Sequence, residues 1–180
     1  MTDPAPRAVL DTSVLIPVWS RLLLSTLAAE RPVLYVPIWC EWIIAETWRV
    51  LTMQRLRRLQ TITPADERQI STSANAMLTA LLQVMTFVSV VPPFDTAWPA
   101  AGDAADLPIW SAAVRSDARF VVSHNLRDFP PRDADGLCAH GGIEFITAAN
   151  FVADVLGLDL AAVAPLPIPA TGRFPHRRRV

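Results

Sequence analysis

Short apolar runs alternate along the chain with longer stretches in which apolar positions recur at helical spacing. The runs are rich in β-branched and aromatic residues and predict strands at 7–11, 87–91, 120–123 and 143–146, with a short extended segment at 33–36. The longer stretches predict helices at 13–29, 38–59, 63 to about 85, 106–117 and 147 to about 156. Strands separated by helices predict an α/β fold, with a parallel sheet and helices on both faces.

Chain length and composition favour one domain. A chain of 180 residues buries about 70% of its unfolded surface in a single core. An apolar fraction of 52% and a charged fraction of 18% are those of a globular protein. We therefore expect one domain over residues 1–156. Residues 157–180, rich in proline and arginine, are expected to form a poorly packed tail.

Charge and cysteine content exclude several kinds of protein. The net charge is −1, so no overall basic field advertises nucleic acid binding. All basic residues are arginines, which excludes a phosphate-binding loop lysine. Cys40 and Cys138 form no CxxC pair, which favours two reduced thiols and leaves one disulfide open. The absence of a signal-peptide pattern or a convincing bilayer span predicts a cytoplasmic protein without a membrane partner.

Asp11 stands directly after the first apolar run. A carboxylate at the carboxyl end of the first strand of a parallel α/β sheet faces the crevice where such sheets bind ligands. The competing interpretation is a helix cap, because Asp, Thr and Ser all cap helices through their side-chain oxygens. Since Thr12 and Ser13 are also available as caps, we predict that Asp11 is left free for chemistry.

Glu46 is predicted to lie within an apolar helix face. The residues that share this face at helical spacing are Trp39, Trp42, Ile43, Val50 and Met53. An unpaired charge is costly in such surroundings, which favours a functional site. An ion pair between Glu46 and Arg49, three residues further on, is an equally good alternative.

Two more polar segments are expected at the same edge of the sheet. Asp106 opens a helix with a proline in its first turn, so it is a candidate both as an N-cap and as a cation ligand. Ser123, Asn125 and Asp128 follow the strand at 120–123. Converging carboxylates repel one another and need a hard divalent cation to sit together. The pattern predicts a metal-dependent phosphodiesterase.

The order of these motifs resembles that of the PIN-domain family. The likeness rests on a strand followed by Asp-Thr-Ser-Val-Leu, on Glu46 within a helix, on Asp106 opening a helix, and on Val-Val-Ser-His-Asn-Leu-Arg-Asp-Phe at 121–129. The last strand and helix, from Gly142 to Thr147 and around Phe151, also look like that family. The resemblance covers about residues 7–156. It is especially to compact bacterial PIN proteins, many of them toxins of toxin–antitoxin pairs.

This resemblance implies a PIN-like fold and a Mg²⁺- or Mn²⁺-dependent endoribonuclease, the toxin of a pair. Asp11, Glu46 and Asp106 match the family's first three acids and are expected to bind metal and act in catalysis. Asn125 and Ser123 stand where the family often has Asp and Thr. Asn125 is then a metal ligand or orients a water, and Asp128 is a candidate for the missing catalytic charge.

RNA contacts and partners complete these expectations. Ser13, Ser123, Arg115 and Arg127 are the candidate RNA-binding residues. Six tryptophans suggest surface that a homodimer or an antitoxin would cover. The alternative is a PIN-like module that binds RNA or protein with a weakened or inactive site, and Asn125 is its main support. A phosphoaspartate hydrolase and a dinucleotide-binding domain are disfavoured, because their acidic and glycine-rich motifs are missing.

Overall fold

The computed structural model describes residues 4–94, 106–129 and 138–163, apart from the side chain of Asp128. The strands are β1 (Arg7–Leu10), β2 (Val36–Trp39), β3 (Thr86–Phe87), β4 (Phe120–Val122), β5 (Ala139–His140) and β6 (Ile143–Ile146). The helices are α1 (Thr12–Leu15), α2 (Val18–Ala29), α3 (Glu41–Leu56), α4 (Pro64–Leu82), α5 (Leu107–Arg115), α6 (Ala148–Asn150) and α7 (Leu160–Val163). A 3-10 turn spans Leu126–Asp128, and a π turn spans Phe151–Val155.

Within these residues the strands form one sheet, which confirms the predicted α/β class. Its order is β3-β2-β1-β4-β6-β5, parallel throughout except for the antiparallel edge strand β5. The chain moves outward from β1 in one direction and later returns to β1's other side, so the strand order reverses between β1 and β4. That reversal opens a crevice at the carboxyl ends of the two strands, which is where sheets of this kind bind ligands.

The two central strands are buried along their length. Ala8, Val9 and Leu10 of β1 are at most 1% exposed, and the three residues of β4 are buried as well. Because successive side chains of a strand point to opposite faces, both faces of the sheet are covered here. Leu10 pairs with Val122, so β1 and β4 end at the same level. The residues that follow them are therefore neighbours at the crevice.

Several boundaries differ from the sequence prediction. The helix expected at 13–29 is two helices, because Pro17 has no N–H to donate and its ring clashes with the preceding turn. The strand expected at 33–36 lies at 36–39. Ile38 and Trp39, predicted to begin the following helix, therefore belong to the strand. An apolar run that continues from strand into helix gives no periodicity signal at the junction. Pro37 is tolerated because β3 pairs only with Ile38 and Trp39.

Other elements are close to expectation or shorter. The helix at 64–82 begins with a capping box between Thr63 and Asp66, and β6 has the predicted bounds. The strand expected at 87–91 ends at Phe87. Further on, the backbone N–H of Val90 donates to the Glu41 carboxylate and not to a neighbouring strand. The antiparallel β5 was not predicted. In the described residues, no helix has the length and apolar character that a bilayer crossing requires.

Tyr35 gives a stability prediction independent of the crevice. Its buried hydroxyl donates to the Leu24 carbonyl at 2.7 Å, and burial raises the pKa of the phenol far above its usual value. Tyr35→Phe should lower the free energy of unfolding by about 1 kcal/mol, the net contribution of one buried hydrogen bond. Urea unfolding measures this loss. We expect Mn²⁺ binding to be unchanged, and a parallel loss of metal binding would contradict the separation of core and site.

Candidate functional site

A cleft of about 950 Å³ opens beside the carboxyl end of β1. Its lining includes Asp11, Glu46, Asp106 and Asn125, which come from four separate parts of the chain. This volume is at the upper end of the range for ligand sites, roughly 300–1,000 Å³. The structure therefore brings the four candidate metal ligands to one cavity, while their role as ligands stays a prediction.

Asp11 is the most deeply placed of these acids. It is 9% exposed, and its backbone N–H continues the sheet by donating to the Val122 carbonyl at 3.0 Å. Its Oδ2 accepts from the Ser13 N–H at 3.3 Å, from the Ser13 hydroxyl at 2.5 Å and from the Ser123 hydroxyl at 2.8 Å. The expectation that Asp11 does not cap α1 is therefore wrong. However, no donor among the described residues reaches Oδ1, so one oxygen remains available to a cation.

Two serines tie Asp11 to the loop after β4. The Ser13 and Ser123 hydroxyls lie 3.1 Å apart, and they accept from the backbone N–H groups of His124 and Asn125 at 2.9 and 3.0 Å. Ser123 is fully buried. This network crosses the junction between β1 and β4 and holds the carboxylate in one orientation. A direct contact of either serine with RNA stays a prediction.

Glu46 forms an ion pair with Arg49, which was the alternative to a functional role in the sequence prediction. Its two oxygens accept from Nε and Nη2 of Arg49 at 2.7 and 2.6 Å, and 43% of its side chain is exposed. The expectation of a charge buried among apolar side chains is wrong, because Trp39 belongs to β2 while Trp42 and Met53 are exposed. The hydrogen bonds and charge of Glu46 raise the pKa of the Arg49 guanidinium. A cation that recruits Glu46 therefore competes with Arg49.

Asp106 and Asn125 approach the cleft from neighbouring segments. Asp106 occupies the N-cap position of α5, but its side chain makes no capping hydrogen bond, so the predicted cap is wrong. Asn125 precedes the 3-10 turn and does not cap it either. The side chain of Asp128 lies outside the described part of the chain. Its expected role as an outer catalytic acid stays a prediction.

The predicted RNA-binding arginines are not among the residues lining the cleft. Arg115, at the far end of α5 from Asp106, donates to the carbonyls of Val91 and Pro93 at 3.0 and 3.3 Å. Arg127 also lies outside the lining. Among the described residues, the basic side chain in the lining is that of Arg49, which the sequence predicted only as an ion-pair partner of Glu46. Its spacing of three residues from Glu46 was the available signal, because both then share one helix face.

The oxygen donors fit a hard cation, although the site is not closed around one. Carboxylate and amide oxygens are the ligands that Mg²⁺ and Mn²⁺ prefer. Among the described residues, no three His, Cys, Asp or Glu side chains are grouped closely enough to hold an ion. Burial lowers the pKa of His124, while the charge of Asp11 acts in the opposite direction. Closure then requires the outer acids to move toward Asp11 against their mutual repulsion.

Comparison with known proteins found no match, so the class of this protein is assigned from its fold and its cleft alone. The chain matches no family model, no curated protein and no solved structure. Fold and site together define an α/β protein with an acidic cleft at the carboxyl edge of a mostly parallel sheet.

Proposed function

We propose that the chain is a PIN-like, Mg²⁺- or Mn²⁺-dependent endoribonuclease that hydrolyses RNA phosphodiester bonds. The proposal rests on how Asp11 is placed and held. It is buried at the point where the strand order reverses, it is oriented through Oδ2, and its Oδ1 accepts no hydrogen bond from the described residues. Glu46, Asp106 and Asn125 line the same cleft, as a carboxylate metal site requires.

The residues of the cleft divide the chemistry among them. A bound divalent cation would polarise a phosphoryl oxygen and make a water more acidic. Asp11, held by Ser13 and Ser123, would be the first ligand. A second carboxylate, Glu46 or Asp106, would accept a proton from the attacking water as the water oxygen bonds to phosphorus. The bond from phosphorus to the oxygen of the departing RNA strand would break, and that oxygen would take a proton from solvent. Arg49, which now donates to Glu46, would on release hold a phosphate oxygen by charge-assisted hydrogen bonds.

A cytoplasmic toxin of a toxin–antitoxin pair is the biological role that we propose for this activity. Val18, Trp19 and Leu22 of α2 are between 38% and 54% exposed. Exposed apolar side chains of this kind favour a protein partner, either an antitoxin or a second copy of the chain. A neighbouring gene for a small partner protein, and co-purification of the two products, would test this role.

A PIN-like module that binds RNA or protein without cleaving it is the second candidate. The Glu46–Arg49 pair and the neutral Asn125 favour it, because both reduce the negative charge offered to a cation. Incubation with single-stranded RNA in Mn²⁺ or in EDTA separates the two functions. The nuclease proposal expects cleavage that EDTA abolishes. Intact RNA with Mn²⁺ would favour the binding module.

Asn125→Asp tests the position at which the chain departs from the family pattern. If Asn125 lies in the cation's coordination sphere, a fourth carboxylate should tighten Mn²⁺ binding and raise cleavage at low Mg²⁺, since affinity follows the number of ligand charges. Mn²⁺ titration with RNA cleavage as the readout measures this. If Asp128 already supplies the charge, Asn125→Asp should change little and Asp128→Asn should be as damaging as Asp106→Asn.

A further inference from the structure

Trp42 is an open aromatic side chain held in place at the edge of the acidic cleft. It lines the cleft and is 47% exposed, whereas Trp39 and Trp110 are at most 2% exposed. Its indole N–H donates to the Val90 carbonyl at 3.0 Å, and its ring lies 5.5 Å from that of Phe94 at an angle of 79°. The polar atom is thus satisfied within the protein, while much of the ring surface stays open.

The helix α3 presents three different chemistries to the cleft in one line. Trp42, Glu46 and Arg49 all line it, and their spacings of four and three residues place them on one helix face. Trp42 and Glu46 are about 6 Å apart along the helix axis, one turn of α-helix. Ala45, a small exposed residue, also lines the cleft. An aromatic ring, a carboxylate and a guanidinium therefore follow one another beside Asp11.

We infer that Trp42 is a stacking platform for an unpaired nucleobase next to the scissile phosphate. This inference rests on the proposed nuclease function and names its substrate class as single-stranded nucleic acid. A base face stacks on an aromatic ring whatever the base is, while bases within a duplex are already stacked on their neighbours. Glu46 and Arg49, about one and two helix turns along α3 from Trp42, would then face the phosphates beside that base.

The rest of the cleft agrees with this assignment. The Glu46–Arg49 pair leaves the lining of α3 without a strong net charge, so a flat apolar face contributes binding that phosphate contacts alone do not supply. Trp48, on the same helix, is a matched control. It is 37% exposed and its N–H donates to the Asn75 side chain at 3.0 Å, but it is not part of the cleft lining.

Binding to a short fluorescent single-stranded RNA, measured by anisotropy in EDTA and low salt, tests the platform without cleavage. Trp42→Leu keeps an apolar side chain but removes the aromatic face, and should weaken binding about 5- to 100-fold. Trp42→Phe should keep most of the affinity, and Trp48→Leu all of it. An oligomer with the same phosphates but no bases should bind the wild type as weakly as it binds Trp42→Leu.

The contrary results are equally definite. The platform would be overturned if Trp42→Leu and Trp48→Leu lost RNA affinity equally, or if Trp42→Leu lost as much affinity for the oligomer without bases as for the RNA. Wild-type protein that binds no single strand would also overturn it. Tighter binding of a duplex than of the single strand would do the same. Base-dependent binding that needs Trp42, without any Mn²⁺-dependent cleavage, would support the platform and overturn the nuclease function. The two proposals therefore fail separately.

Discussion

Asp11→Asn is expected to reduce metal-dependent RNA cleavage by about 10³-fold, the loss of several kcal/mol of cation-mediated stabilisation. Asparagine has nearly the same shape, and its oxygen can still accept from Ser13 and Ser123. The fold should therefore survive, while the buried negative charge that would hold the cation is gone. Single-turnover cleavage measures the first effect. The change in melting temperature with Mn²⁺, present in the wild type and absent in the variant, measures the second.

Asp159→Asn is the matched control for this substitution. Asp159 accepts from the backbone N–H of Ala161 at 2.9 Å, and it is not part of the cleft lining. The same change from carboxylate to amide should leave cleavage and the Mn²⁺-induced stabilisation unaltered there. Cleavage by Asp11→Asn within a few-fold of the wild type, or an equal thermal shift in both variants, would count against a carboxylate metal site at Asp11.

Glu46→Gln and Arg49→Gln are expected to change metal affinity in opposite directions. Removal of the Glu46 carboxylate should weaken Mn²⁺ binding and cleavage by about 10- to 100-fold, as for other groups that support a metal site. Removal of Arg49 frees the same carboxylate from a competing cation. Because an exposed ion pair contributes only about 0.2–1 kcal/mol, the gain in Mn²⁺ affinity should be at most about fivefold.

The opposite signs distinguish a metal ligand from a purely structural ion pair. If Glu46 serves only to hold Arg49, both variants break the same bond and should have the same small effect on stability. Neither would then alter Mn²⁺ affinity. Calorimetric titration of each variant with Mn²⁺ gives the comparison, and equal affinities in wild type, Glu46→Gln and Arg49→Gln would exclude Glu46 from the cation's ligands.

The centre of the fold was readable from the sequence, while its junctions were not. Buried strands such as 7–10 and 143–146 are recognisable in the sequence as short apolar runs between helical patterns. The capping box at Thr63 likewise marks the start of α4. By contrast, β2 extends to Trp39 because Trp39 pairs with Phe87 of β3, a long-range requirement that no local pattern contains. The same holds for β5, whose two residues form a strand only by pairing with β6.

The candidate site shows the same division between local and long-range information. That Asp11, Glu46, Asp106 and Asn125 line one cleft could be anticipated, because each stands at a strand end, a helix start or a marked position on a helix face. The use of only one Asp11 oxygen could not, since it depends on Ser123, 112 residues away. The pairing of Glu46 with Arg49 depends on the side-chain rotamers of both residues. The spacing of three residues allows this pair but does not determine that it forms.

Anomalous diffraction from a crystal grown with Mn²⁺ would show whether the Asp11 carboxylate holds a cation. We expect one strong peak in the cleft, about 2.1 Å from Asp11 Oδ1, with the Glu46 carboxylate turned from Arg49 toward the ion. Asp106 and Asn125 should face the same peak, directly or through water. If millimolar Mn²⁺ leaves no peak at Asp11, or binds only at another part of the surface, Asp11 is not a metal ligand and the proposed nuclease site is excluded.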